Sequence, residues 1–386
     1  MKNLLKKALA TAICVGVLAG CAGEEDTVIM APVPQVSSAF TPTTQWTSSI
    51  GKGVGQFYSK LSAEYAYDKV FVASRDGMVK ALDPENGRLI WQANVEEDVS
   101  ARLSGGITAG YGQLFIGSEN GRVFAFDQET GELNWQVDVN GEVLAAPATD
   151  SNLVIVHTNK GILLALDQVT GETRWTISTE VPNLTLRGNS APVTASGGVF
   201  WGTANGRLAA AIVERGQLIW QQPIGKPQGA TEIDRLVDVD ASPLILGSSL
   251  YIVGYNGQLT AIDLRSGEAS WKRNYSSASN LASDASSIYL VTEQDHLIAV
   301  DARSGTELWT NEQLENRLVT APVIIDSYLV VGDSEGYLYW LERDSGDFVS
   351  MQQVSSSGFA VGPTPVEDGY VLVTRDGDVK KLTINK

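Results

Sequence analysis

A single block of about twenty residues recurs along this chain, and that recurrence limits the possible folds more than any one residue does. The copies are DGMVKALDPENGRLIWQANV at 76, NGRVFAFDQETGELNWQVDV at 120 and KGILLALDQVTGETRWTIST at 160. They continue with NGRLAAAIVERGQLIWQQPI at 205, NGQLTAIDLRSGEASWKRNY at 256, QDHLIAVDARSGTELWTNEQ at 294 and EGYLYWLERDSGDFVSMQQV at 335. An eighth, shorter copy, DGDVKKLTINK, starts at 376. Each reads as a hairpin. Its opening dipeptide usually has Gly in second place, where a positive φ carries no steric cost. An apolar strand such as Val123–Phe126 follows. A second turn contains Gly87, Gly131, Gly171, Gly216, Gly267, Gly305 or Gly346. The returning strand carries Trp91, Trp135, Trp175, Trp220, Trp271 or Trp309, with Ser350 at that place in the seventh copy.

A further apolar strand precedes each hairpin (VFVAS, LFIGS, LVIVHT, VFWGT, LYIVGY, IYLVTE, LVVGD, VLVTR), and before several of these lies a short element such as AAPAT or TAPVI. Four strands in a period of about forty residues mark a β-propeller blade. The fold expected is all-β: an eight-bladed β-propeller of four-stranded antiparallel blades over residues 45–386. The eighth copy lacks its own fourth strand. TQWTSSI at 44–50, with Trp46, belongs to no other blade. It is expected to complete the eighth and close the ring, removing open sheet edges. Deleting it should destabilise the whole disk.

The rest of the composition narrows function. Hydrophobic residues make up 43%, enough for a large core, and the formal net charge is −17. That acidity argues against nucleic acid, whose phosphates need clustered Lys and Arg, and against a basic membrane-clinging surface. Residues 1–20 differ from the remainder. Lys2, Lys6 and Lys7 precede an apolar run, Ala8–Gly20, that is too short to span a bilayer and fits a signal peptide. Leu18-Ala19-Gly20-Cys21 resembles the lipobox of bacterial lipoproteins. The resemblance implies cleavage before Cys21, lipidation of that residue, and, with Ala22 following, sorting to the outer membrane, so that the lipid anchor is the only membrane contact. Cys14 would leave with the signal, so the mature domain would keep no free thiol. Residues 22–44, rich in Pro, Ser and Thr, read as an extended tether.

The pattern A-x-D-x-x-T/S-G-x-x-x-W, seen in AFDQETGELNW and AIDLRSGEASW, resembles the tryptophan-docking motif of quinoprotein propellers. Ile212 and Glu342 depart from it. The resemblance implies that Trp46, Trp91, Trp135, Trp175, Trp220, Trp271 and Trp309 pack between blades, so the motif reports fold and not activity. A quinoprotein oxidoreductase would also need an axial cofactor pocket, calcium, a catalytic Asp and, in many cases, adjacent cysteines. The mature chain retains no thiol, and minimal blades use up nearly all of it. No cofactor, metal or catalytic residue is therefore assigned, and the rivals are a quinoprotein oxidoreductase and a propeller adaptor for another partner, such as a peptidoglycan enzyme. His157 and His296 fall in a blade strand or turn. Asp238 and Asp240 do not continue into an EF-hand loop. GKGVG at 51–55 lacks the Lys-Ser/Thr of a phosphate loop.

Function is then expected in departures from the minimal blade. From Trp135 to Pro147 is 12 residues and from Trp309 to Pro322 is 13, but Trp175 to Pro192 takes 17 and Trp220 to Pro243 takes 23. Both long links should emerge side by side on one face. The first offers Leu184, Leu186 and Arg187, and the second Asp238 and Asp240. By composition they form either a docking patch with an apolar centre and a polar rim, or leucines folded back beneath solvated charges. The whole chain, lipobox included, resembles the BamB family of outer-membrane protein assembly factors. In that family a Leu-x-Leu-Arg loop and an Asp-x-Asp loop meet the partner. The resemblance implies a non-enzymatic scaffold facing the periplasm that binds the POTRA domains of BamA through Leu184, Leu186, Arg187, Asp238 and Asp240. It leaves room for nascent outer-membrane proteins as a second partner, paired on blade edges.

Overall fold

The computed structural model describes residues 28–95 and 100–384, so the signal segment and Cys21 lie outside the described residues. Among the described residues every regular element is a strand, and thirty-two strands form eight four-stranded antiparallel sheets. Blade 1 runs from Glu64 to Asn94, blade 2 from Leu103 to Asp138, blade 3 from Ala148 to Ser178 and blade 4 from Val193 to Pro223. Blade 5 spans Leu244–Arg273, blade 6 Ala282–Asn311 and blade 7 Val323–Gln353. Blade 8 takes three strands from Thr364–Thr383 and its outermost strand, Thr43–Ser49, from the other end of the chain. The closing strand pairs antiparallel with Asp378–Thr383. The expected ring closure is therefore observed, its strand beginning one residue earlier than the 44–50 segment that the sequence suggested.

The core is a ring of clusters between neighbouring blades. Phe71, Ala81 and Trp91 of blade 1 pack with Leu114, Ile116, Phe124 and Phe126 of blade 2. Alternation explains why one blade feeds two clusters: Phe124 and Phe126 face blade 1, while Val123 and Ala125 face blade 3. In each of blades 1–6 the motif alanine lies opposite the tryptophan, as in Ala125 against Trp135, and a register shift follows immediately. Such a bulge adds local twist and turns the indole toward the next blade. There it covers a glycine. A Cβ placed on Gly131, whose φ is +73°, would lie 2.4 Å from the Trp91 ring. The same contact joins Trp46 to Gly87, Trp135 to Gly171, Trp175 to Gly216, Trp220 to Gly267, Trp271 to Gly305 and Trp309 to Gly346. Six of these indoles donate Nε1–H to a carbonyl of the neighbouring blade, as Trp91 does to Gln128 at 3.0 Å. Trp220 instead turns Nε1 over Gly267. The motif aspartate closes the turn: Asp127 Oδ1 accepts the amides of Glu129 and Thr130 at 2.9 and 2.8 Å.

One expectation changes here. Residues 29–40 are held along blades 6 and 7, so they do not form an extended tether. The Ala31 amide donates to Glu315 O, Arg317 Nη1 donates to Ala31 O at 2.7 Å, and the Ala39 amide donates to Val349 O. Phe40 packs on Tyr328 and Trp340. An aromatic residue and spare backbone donors next to a sheet edge favour docking over free chain.

Candidate functional site

Strand direction alternates within a blade, so every inter-blade link and every turn between second and third strands emerges on one face. The two long links, residues 179–192 and 224–243, lie there together. Asp238 Oδ1 accepts the Leu186 amide at 3.0 Å. Ser190 Oγ donates to Ala241 O at 2.9 Å. A Cβ on Gly188 would fall 2.2 Å from Asp240 Oδ2, so the first link passes directly over that carboxylate. A third link joins them. Lys60, in the connection from the closing strand to blade 1, donates from Nζ to the carbonyls of Asn189 (2.9 Å) and Asp240 (3.1 Å).

This arrangement corrects the reading of Asp238 and Asp240 as presented charges. Both are buried, at 1% and 7% exposure, flanked by buried Val237, Val239 and Ala241. Residues 236–241 run under the first link as part of the core, and the aspartates brace that link from below. What reaches solvent is Leu184 and Arg187, with Leu186 half-buried between them. The Arg187 guanidinium sits 3.2 Å from Glu119 and 3.1 Å from Glu142. Glu119 is also gripped by Arg75 through two bonds of 2.9 and 2.8 Å, and Arg75 lies over the Phe57 ring. This chain of charges fixes the height and direction of Arg187 across three blades. Phe57, Ile233 and Leu318, all exposed, belong to other links of the same face.

Burial shapes the electrostatics below the loop. The Asp238 carboxyl is pushed up to about 6, first by burial and then by the charge of Asp240. Asp240 is raised by burial against the pull of Lys60, and Lys60 is lowered by burial against the pull of Asp240. Burial brings His157 down to about 4, so it is neutral and donates from Nδ1 to Ser190 O at 3.0 Å. It is a core residue of the link platform. His296 lies apart, 3.8 Å from both Glu312 and Glu315.

Tyr58, Lys60, Glu119 and Glu142 complete the site, and sequence reasoning missed them. Lys60 is 129 residues from Asn189 and 180 from Asp240, and only ring closure brings it there. Inside the mouth formed by these links opens an axial cavity of 720 Å³ whose walls include Tyr58, Lys60, Glu64, Arg187 and Arg375.

Comparison with known proteins agrees with this architecture. The family model described as "Outer membrane protein assembly factor BamB" matches residues 75–311 and 296–386. A curated protein of that name from Vibrio cholerae is 66% identical over 386 residues, covering all of both chains. The crystal structure of BamB from Moraxella catarrhalis superposes with a TM-score of 0.80 at 28% identity, covering 89% of this chain and all of that one. A quinohemoprotein alcohol dehydrogenase from Comamonas testosteroni shares the fold alone, with a TM-score of 0.72 at 12% identity over 89% of this chain and 76% of its own. The chain belongs to the BamB family of outer membrane protein assembly factors.

Proposed function

We propose that this protein is a non-enzymatic scaffold of the outer-membrane β-barrel assembly machinery, docking through its link face on the periplasmic POTRA domains of BamA. The observation that carries the reading is the braced loop Leu184–Arg187. It presents an apolar residue and a guanidinium on a platform tied down by Asp238, Asp240 and Lys60. A rigid anchor loses little entropy on binding, which favours affinity. Leu184 and Arg187 are the contact residues. Leu186 is the point where the loop is fastened to the platform through its amide, and the two aspartates act through the loop without touching the partner. Cys21, lipidated, holds the disk at the inner surface of the outer membrane. The quinoprotein reading rests on the shared fold and on the presence of an axial cavity, and neither identifies a catalytic group.

A pull-down with the periplasmic region of BamA tests this. Wild type should retain the partner. Leu186→Ala, Arg187→Ala and the double Asp238→Ala, Asp240→Ala variant, each with native circular dichroism, should retain much less. No retention by wild type would remove the partner assignment, while equal retention by all variants would place the site elsewhere.

A further inference from the structure

Beneath the two long links lies a separate small cavity of 20 Å³, with His157, Asn189, Asp238 and Asp240 among its walls. That volume admits one water-sized occupant and no side chain. Two wall atoms are acceptors without a hydrogen-bond partner, Asp238 Oδ2 and Asn189 Oδ1. Both belong to residues more than nine-tenths buried. The neighbouring polar groups are committed. Asp238 Oδ1 holds the Leu186 amide, Lys60 Nζ is on two main-chain carbonyls, and His157 Nδ1 is on Ser190 O.

The charges around the cavity do not balance. Asp238 and Asp240 bring two negative charges and Lys60 one positive. Arg187 and Arg75 are matched by Glu142 and Glu119 in the surface network. A buried carboxylate without a counter-charge is costly.

We propose that this cavity binds one small, hard cation, held by the free oxygens of Asp238 and Asn189 with Asp240 adding charge. Among the described residues no three His, Cys, Asp or Glu side chains converge in metal-holding geometry. The two free oxygens supply part of an oxygen shell, donors of the kind that sodium and calcium take, and offer zinc none of its nitrogen or sulfur ligands. Its donors come from different links, unlike the contiguous loop of an EF-hand. The ion would therefore act as a pin between Asn189 on the first link and Asp238 on the second. This inference concerns the chain alone and stands or falls independently of the partner.

The test is thermal unfolding of the purified full-length chain at constant ionic strength, with choline chloride exchanged for sodium chloride or supplemented with calcium chloride. The expected result is a saturable rise of a few degrees in melting temperature with sodium or calcium. Asp238→Asn should abolish the rise while leaving the native circular dichroism intact. Asn189→Asp, which adds a charge to the same cavity, should move saturation to lower cation concentration. Melting temperatures that are the same in every salt, or an Asp238→Asn variant that responds like wild type, would overturn the proposal and leave a buried water as the occupant.

Discussion

Gly131 and Trp91 show how a single contact is repeated into a fold. The glycine has a φ that other residues rarely adopt, and the indole occupies the space where a Cβ would stand. Gly131→Ala therefore combines backbone strain with a clash at 2.4 Å, and should cost more than about 2 kcal/mol in a urea unfolding curve. His157 supplies a pH-dependent counterpart. Its folded pKa, about 4, lies below the ordinary histidine value. Between these values the unfolded chain binds a proton that the folded chain refuses. Stability from this group is thus complete above about pH 6.5 and is lost as pH falls toward 4, by on the order of 3 kcal/mol. Asp238 works in the opposite sense, since its raised folded pKa favours the folded state at low pH. Comparing wild type with His157→Gln isolates the histidine: the variant should lose less stability than wild type between pH 7 and pH 4.5. At this scale the tryptophans and glycines were legible in the sequence because they recur. The burial of Asp238 and Asp240 was not, because two aspartates in a long connection look the same whether they face water or core. Their partners, the Leu186 amide and Lys60, lie on other links, 52 and 180 residues away in the chain.

The contact between tryptophan and glycine turn recurs at every seam but one, and the exception has a physical cause. Each tryptophan needs the glycine turn of the following blade. Blade 8 has no such turn, because its third strand ends at Thr383 and its fourth begins at Thr43. Blade 7 accordingly carries Ser350 where a tryptophan would stand, and the residue opposite it is Trp340 where other blades have alanine. Phe40, from the segment before the closing strand, fills the gap edge-on to Trp340, with its carbonyl accepting the Ser350 hydroxyl. Phe40→Ala should therefore cost about 2–3 kcal/mol, a large loss for a half-buried residue outside any strand. An equal loss for Phe40→Ala and Val36→Ala in the same unfolding assay would mean that the seam is not specially plugged. The Ser350 anomaly was visible in the sequence. Its remedy was not, since nothing in residues 29–40 repeats and a Pro- and Ser-rich stretch reads as tether. The long links, by contrast, were found by length alone, because a regular blade gives every other link a standard to exceed.

The whole molecule is a closed disk with unequal faces. Eight sheets joined through a strand from the opposite end of the chain leave no open seam. Turns between third and fourth strands cap one face with aspartate-held loops. The other face gathers the links, the charge network from Arg75 to Glu142, and the exposed side chains of Phe57, Leu184 and Ile233. The central claim is that partner binding belongs to this link face and to the Leu184–Arg187 loop in particular. Affinity for the periplasmic region of BamA, measured by biolayer interferometry for wild type, Leu184→Ala, Arg187→Ala and Val169→Ser, tests it most directly. Val169 is exposed on the opposite face, in a turn between third and fourth strands. The account predicts that each loop variant weakens binding about tenfold or more while Val169→Ser binds as wild type does. Loop variants that bind like wild type, or a loss confined to Val169→Ser, would contradict it.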